Sequence, residues 1–204
     1  MKQKFLVKIF LLLSCLSLPL SAQQIVGTAS VNGRVINIFD DQTWKYKSSK
    51  GSQDFSSCDA LKNGIYFCNE QNWKVQPPTE PANAIYQIND RTYLMFIIES
   101  LGTNDGFSQE FMMNVALTTA AEAGNMTTDQ IPQHFVKELT TNNNNYTSMA
   151  YTTKISGLTV TYINNIYVKE AVTVQVALYT IAPNVTDELL DHSDVVTKNI
   201  FFQD

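Results

Sequence analysis

The chain has 204 residues, 44% hydrophobic and 16% charged, with 14 Lys and Arg against 19 Asp and Glu. That acidic balance argues against a nucleic-acid partner, which needs clustered Lys and Arg to replace counterions. It argues equally against docking on anionic lipid, and the length suits one domain, or one domain with a small appendage.

Residues 1–22 have the order of a secretory signal peptide. Lys2, Lys4 and Lys8 precede an apolar run from Ile9 to Leu20, Pro19 disfavours helix continuation, and Ser21-Ala22 offers a small-residue cleavage point before Gln23. The run is shorter and more interrupted than the ~20 apolar residues of a stable membrane span. Two other readings stand beside it. One is an N-terminal anchor helix that is never removed. The other is a lipobox, Leu12-Leu13-Ser14-Cys15, whose Cys15 would carry a lipid tether; cleavage there would cut the apolar run in its middle. The leader holds three of the 14 basic residues and no acid, so its removal leaves 11 against 19 and a net charge of −8. No later segment is apolar and long enough to span a bilayer. The expected location is therefore periplasmic or extracellular.

Residues 23–76 read as a small β appendage. Asn32-Gly33 is a strong hairpin signal, because both central residues of a type I′ turn need φ > 0. It lies between Ile25-Val26 and the run Val35, Ile36, Ile38. Asp40-Asp41-Gln42 makes a second turn before Thr43-Trp44-Lys45-Tyr46, which completes a β-meander. Residues 48–54 read as a solvated loop. Cys58 and Cys68 are the two cysteines beyond the leader, and an even pair in an oxidising compartment reads as a disulfide, worth roughly 2–3 kcal/mol for so short a loop. Ile65–Phe67 and Trp73–Val75 suggest a short strand pair. Pro77, Pro78 and Pro81 then stiffen residues 77–83 into a connector, the expected seam before a larger domain at 84–204.

That domain opens with strands Ala84–Ile88 and Thr92–Ile98. Ser108 caps a helix to about Ala123, with Glu110 in its first turn and Gly124 where a C′ residue belongs. Phe111, Met112, Val115, Ala116 and Ala120 are expected on its core face. Residues 129–140 are ambiguous. Ile131, Phe135 and Leu139 recur every four residues, which favours a helix, but a strand turning at Asn142–Asn145 fits as well. Three clearer strands follow: Tyr146–Ile155, Leu158–Val168 and Ala171–Ile181, with turns at Ser156-Gly157 and Lys169-Glu170. A closing helix fits 187–200, with Leu189, His192, Val196 and Ile200 on one face, and Phe201-Phe202 pack or pair beyond it. The order is α+β, an antiparallel sheet packed between helices beside the small N-terminal β-meander.

No motif for chemistry emerges. Neither His134 nor His192 stands in a local arrangement with a plausible Ser or Cys nucleophile, and there is no GxGxxG, Walker A, H-E-x-x-H or CxxC pattern. Glu188 and His192, four apart, would share a helix face, but acids at a helix start are ordinary capping. Asp40-Asp41 lacks the ligand ladder of a calcium loop. No cofactor or metal is expected. Asn125, Asn145 and Asn184 begin glycosylation sequons, relevant only in a eukaryotic secretory pathway. Tyr146, Tyr151, Tyr162, Tyr167 and Tyr179 fall on the sheet; Tyr151, Tyr162, Tyr167 and Tyr179 are the candidate binding face, against the ordinary reading of tyrosines packed beneath helices.

Two segments resemble known families. Val35 to Tyr46 resembles a motif of exported bacterial proteins, a strand followed by Asp-Asp-Gly-Thr-Trp-x-Tyr, with Gln42 in place of the Gly. Tyr86 to Phe202 resembles the PsbP-like superfamily through Tyr93–Glu99, the helix with Glu110-Phe111 and Asn114 to Ala123, Ile155–Tyr162, Val174–Thr180 and the closing helix. That superfamily includes a photosystem II extrinsic protein, a nuclear-import factor that binds Ran, and bacterial envelope proteins. The resemblance implies six or seven antiparallel strands between helices, favours a strand at 134–140, and implies a non-enzymatic scaffold that binds protein. It transfers no binding residue. Three functions are thus expected in this order: an exported binding or assembly protein of the bacterial envelope; a small-ligand carrier with a pocket lined by Met112, Met113, Phe96 and Tyr162; and an enzyme with a dispersed site.

Overall fold

The computed structural model describes residues 24–31, 34–46 and 55–203. The expected signal peptide, Cys15, the Asn32-Gly33 turn and the loop 48–54 lie outside the described residues. Two compact units divide between Asp54 and Phe55.

The first unit is a three-stranded antiparallel sheet, β1 (Ile25–Val31), β2 (Arg34–Phe39) and β3 (Trp44–Tyr46), in that order. Val31 pairs with Arg34 and Ile36 with Tyr46. The turn between β2 and β3 is closed by the Asp41 carboxylate, which accepts from the Thr43 amide at 2.9 Å and from the Thr43 hydroxyl. This is an Asx turn, so Asp41 already has a local structural task. Gln42 takes φ 64°, the left-handed conformation that the family motif fills with Gly.

In the second unit, β4 (Asp59–Ala60) and β5 (Ile65–Phe67) are followed by β6 (Lys74–Gln76), β7 (Ala84–Gln87) and β8 (Thr92–Glu99). Helix α1 (Gln109–Ala123) leads to β9 (Gln133–Thr141), β10 (Asn144–Ile155), β11 (Leu158–Lys169) and β12 (Val172–Thr180). Helix α2 (Asp187–Lys198) and β13 (Ile200–Phe202) close the unit. Seven strands form one antiparallel sheet in the order β6-β7-β8-β12-β11-β10-β9. A smaller sheet has the order β13-β5-β4.

Two hairpin turns come where the residues predict, and the third, between β11 and β12, falls one residue later, at Glu170-Ala171. Asn142 and Asn143 take φ 50° and 62°, and Ser156 and Gly157 take 50° and 84°, as type I′ turns require. Ser108 caps α1 by accepting from the Phe111 amide at 3.1 Å, and Thr186 caps α2 through the Leu189 amide. The left-handed residue beyond α1 is Asn125, not Gly124. Gly124 matters for closeness instead: a Cβ there would lie 2.7 Å from the Thr153 hydroxyl.

One face of the large sheet packs on α1, with Met112, Ala116, Ala120 and Ala121 against Met149, Tyr151 and Ile166. The other face packs on α2 and the smaller sheet, joining Leu189 and Val196 to Phe67, Trp73, Tyr86 and Phe96. The sheet therefore lies between the helices, the expected α+β architecture.

Four expectations are corrected. Residues 77–83 join β6 to β7, adjacent strands of one sheet, so the prolines make a stiff connection inside the unit and not a seam. Phe67 and Trp73 belong to the main core. Ile65–Phe67 pairs with β13 and β4, while Lys74–Gln76 pairs with β7, so those two segments do not pair with each other. Residues 133–141, left open between helix and strand, are strand, as the resemblance implies, and a spacing of four suits it because four is also even. Phe135 and Leu139 thus share one side of β9, and Ile131 enters the α1 core before the strand begins. On α1, Phe111 and Val115 face solvent, opposite Met112, Ala116 and Ala120.

Candidate binding surface

The strand registers align tyrosines across four neighbouring strands. Tyr151 is opposite Tyr162, Tyr162 opposite Tyr179, and Tyr179 opposite Tyr93. Ring centroids stand 5.2, 5.3 and 5.4 Å apart along this row. Cross-strand aromatic pairs at such distances stabilise a sheet beyond their buried area. The row starts beneath α1, where Tyr151 is buried, and runs out to half-buried Tyr162, Tyr179 and Tyr93. Met95 and Ile97, which alternate with Tyr93 on the same side of β8, are half-buried too.

Tyr167, expected in this row, is on the opposite face. It packs on Phe202 at 4.5 Å and Tyr146 at 5.6 Å in the α2-side core. Tyr93 was not among the expected residues. Its place follows only from the β8–β12 pairing, which joins segments about 85 residues apart.

Burial, with Tyr179 beside it, pushes the Tyr162 hydroxyl up to about 12. Burial raises Tyr151 and Tyr179 as well, with smaller contributions from Tyr162 and Tyr93 respectively. Unfolded tyrosines ionise near about 10, so above that pH the unfolded chain loses protons first and the fold loses stability. Tyrosine ionisation should leave denaturant midpoints unchanged from neutral pH to about 9.5 and lower them above it. Tyr162→Phe should flatten that fall; an unchanged slope would count against desolvation of the Tyr162 hydroxyl.

The histidines hold structural places. The Ala182 carbonyl can only accept, so Thr161 Oγ1 donates to it at 2.8 Å. Thr152 Oγ1 then donates to Thr161 Oγ1 at 2.8 Å, and His134 Nε2–H donates to Thr152 Oγ1 at 2.7 Å. The chain of donors runs away from the imidazole. His192 Nε2 lies 3.5 Å from the Glu188 carboxylate, with the ring edge-on to Trp73 at 5.6 Å. Glu188 also accepts from Asn89 at 3.2 Å. Among the described residues, no three His, Cys, Asp or Glu side chains gather as a metal site.

The expected carrier pocket does not assemble. Met112, Met113 and Tyr162 belong to the α1 side, whereas Phe96 points into the opposite core with Phe67 and Tyr86. Two open concavities flank the β11–β12 turn instead. One of about 410 Å³ is lined by Ser108, Gln109 and Asn143–Asn145; the other, of about 490 Å³, by Asn63, Ser100 and Phe202. They share Tyr167 and Lys169. Cys58 and Cys68 form a disulfide that clasps β4 and β5. No described helix is long and apolar enough to cross a membrane.

An antiparallel sheet of seven strands between two helices defines an α+β sandwich, and comparison with solved structures specifies which. The chain is similar to cyanobacterial PsbP (CyanoP) from Synechocystis sp. PCC 6803, at 12% identity over 77% of this chain and 99% of that one, with a TM-score of 0.54. This is the PsbP-like fold. LpqN of Mycobacterium tuberculosis, described as involved in cell envelope biogenesis, aligns at 13% identity over 72% of this chain and 87% of its own, with a TM-score of 0.49. No family model matches the sequence. No curated protein matches it either.

Proposed function

We propose that this chain is an exported, non-catalytic binding or assembly protein of the bacterial cell envelope, with an envelope protein as its partner. One observation carries the reading: the row Tyr162, Tyr179 and Tyr93, half-buried and in register, with Met95 and Ile97 beside it. Such rings offer large, rigid contact area at low cost in side-chain entropy, with a hydroxyl to orient a partner. The Cys58–Cys68 bridge supports export, because disulfides persist in oxidising compartments. So does the leader-like order of residues 1–22. The direction of the His134–Thr152 hydrogen bond supports binding over catalysis, since an activated nucleophile must give its proton to the imidazole.

Native mass spectrometry of the chain recovered from its host's envelope fraction tests this. The expected species is residues 23–204, lighter by two hydrogens for the bridge, carrying a protein-sized increment. Tyr93→Ser with Tyr179→Ser should lose that increment. Recovery in the cytoplasm at full length, or a complex indifferent to both substitutions, would sink the reading.

A further inference from the structure

Helix α1 carries apolar side chains where a sheet-packed helix ordinarily carries polar ones. Phe111 is 49% exposed and Val115 37% exposed. Residues 111, 115, 118 and 122 repeat at helical spacing, so Phe111, Val115, Thr118 and Glu122 form one ridge opposite the buried Met112, Ala116 and Ala120. Phe107 stands edge-on to Phe111 at 5.2 Å and extends the apolar strip towards the N-terminus. Packing on the sheet does not account for these side chains, since both point away from it.

The charge on the helix itself has one sign. From Thr92 to Val136 the chain holds Glu99, Asp105, Glu110, Glu122 and Asp129 and no Lys or Arg. Glu110 and Glu122 are exposed on α1 itself, and among the described residues neither is in an ion pair with a cation. Basic residues stand at the two ends of the helix and not on the ridge: Lys169 beside Ser108 and Gln109 at its start, and exposed Lys154, whose backbone lies against Gly124, at its finish.

We infer that the outward ridge of α1 is a docking surface for a basic, amphipathic polypeptide segment, one whose apolar side chains are flanked by Lys or Arg. The inference rests on the proposed binding role and adds where the partner sits and what it is made of. Apolar contact with Phe111 and Val115 would supply affinity, and the acids would supply orientation and encounter rate. A second copy would set like charges against like, and an anionic membrane would be repelled for the same reason.

The test uses the full chain and a fluorescein-labelled helical Lys/Leu peptide, with a Glu/Leu peptide of the same spacing as its counterpart. The Lys/Leu peptide should bind, more weakly as salt rises, and the Glu/Leu peptide should not. Phe111→Ser with Val115→Ser should weaken binding at least tenfold with unchanged melting temperature. Glu110→Gln with Glu122→Gln, which leaves the apolar strip intact, should weaken it and reduce its salt dependence. Equal binding by both variants overturns the inference. So does concentration-dependent dimerisation abolished by Phe111→Ser and Val115→Ser, which would assign the ridge to a second copy, or tighter binding to phosphatidylglycerol vesicles than to peptide. The host complex separates the two claims. If it survives Phe111→Ser and Val115→Ser but not Tyr93→Ser and Tyr179→Ser, this surface is wrong and the binding role stands. If no complex forms at all, the binding role itself fails.

Discussion

Phe67→Ala should destabilise the 55–203 unit by about 3–5 kcal/mol, the usual cost of removing a fully buried aromatic ring. Phe67 is 1% exposed. Its ring lies 5.1 Å from both Tyr86 and Phe96 and 6.2 Å from Trp73. Tyr86 is fixed in turn by its hydroxyl, which donates to Asp59 at 2.8 Å. The cavity would therefore open where β5, β7 and β8 meet. Guanidinium denaturation should show the loss as a lower midpoint for the whole unit. Amide exchange in β8 and β12 should accelerate together with that in β5. If only residues 55–76 loosened, the segment would behave as an appendage and its integration into the core would be refuted.

Gly102→Ala should be nearly as damaging, by roughly 3 kcal/mol, at the upper end for overpacking. A Cβ at this position would lie 2.0 Å from the Lys169 carbonyl oxygen and 2.6 Å from that of Glu170. Both obstacles are backbone and cannot rotate away. The same close approach lets the Asn104 amide donate to the Glu170 carbonyl at 2.9 Å, while the Gly102 amide donates to Asp105 at 2.9 Å. Displacing it would pull the segment that leads into α1 off the β11–β12 turn. Thermal unfolding should report a clear fall in midpoint. Gly27, with nothing within 4 Å of its Cβ position, supplies the control: Gly27→Ala should leave that midpoint unchanged.

Local features of this fold are legible in its residues, and pairings between distant segments are not. Turns announce themselves by residue type, as at Ser156-Gly157, and helix starts by Ser108 and by the acids Asp187 and Glu188; the β11–β12 turn falls at Glu170-Ala171, one residue beyond the expected Lys169-Glu170. The core membership of Phe67 and Trp73 was hidden because it depends on segments far along the chain. Pro77, Pro78 and Pro81 pointed to a break for a sound local reason, yet a stiff connection serves a strand pair as well as a domain seam. Tyr162 and Tyr167 are an odd number apart on one strand, so they must project to opposite faces. Phe111 and Val115 misled because their apolarity suggested the core, whereas helical spacing alone sets them opposite Met112 and Ala116.

The pairing of β13 with β5 has a consequence for how the protein is made. Phe201 lies opposite Tyr66, and Phe202 opposite Ile65, so the strand that follows all other described strands completes a sheet begun near the unit's start. A chain that emerges vectorially, from a ribosome or through a membrane pore, exposes Ile65 and Phe67 well over a hundred residues before their covering strand arrives. Loop closure over that span is slow compared with local pairing. Until then the early strands present an open apolar edge, a state that a holding chaperone recognises and that export-competent chains must maintain.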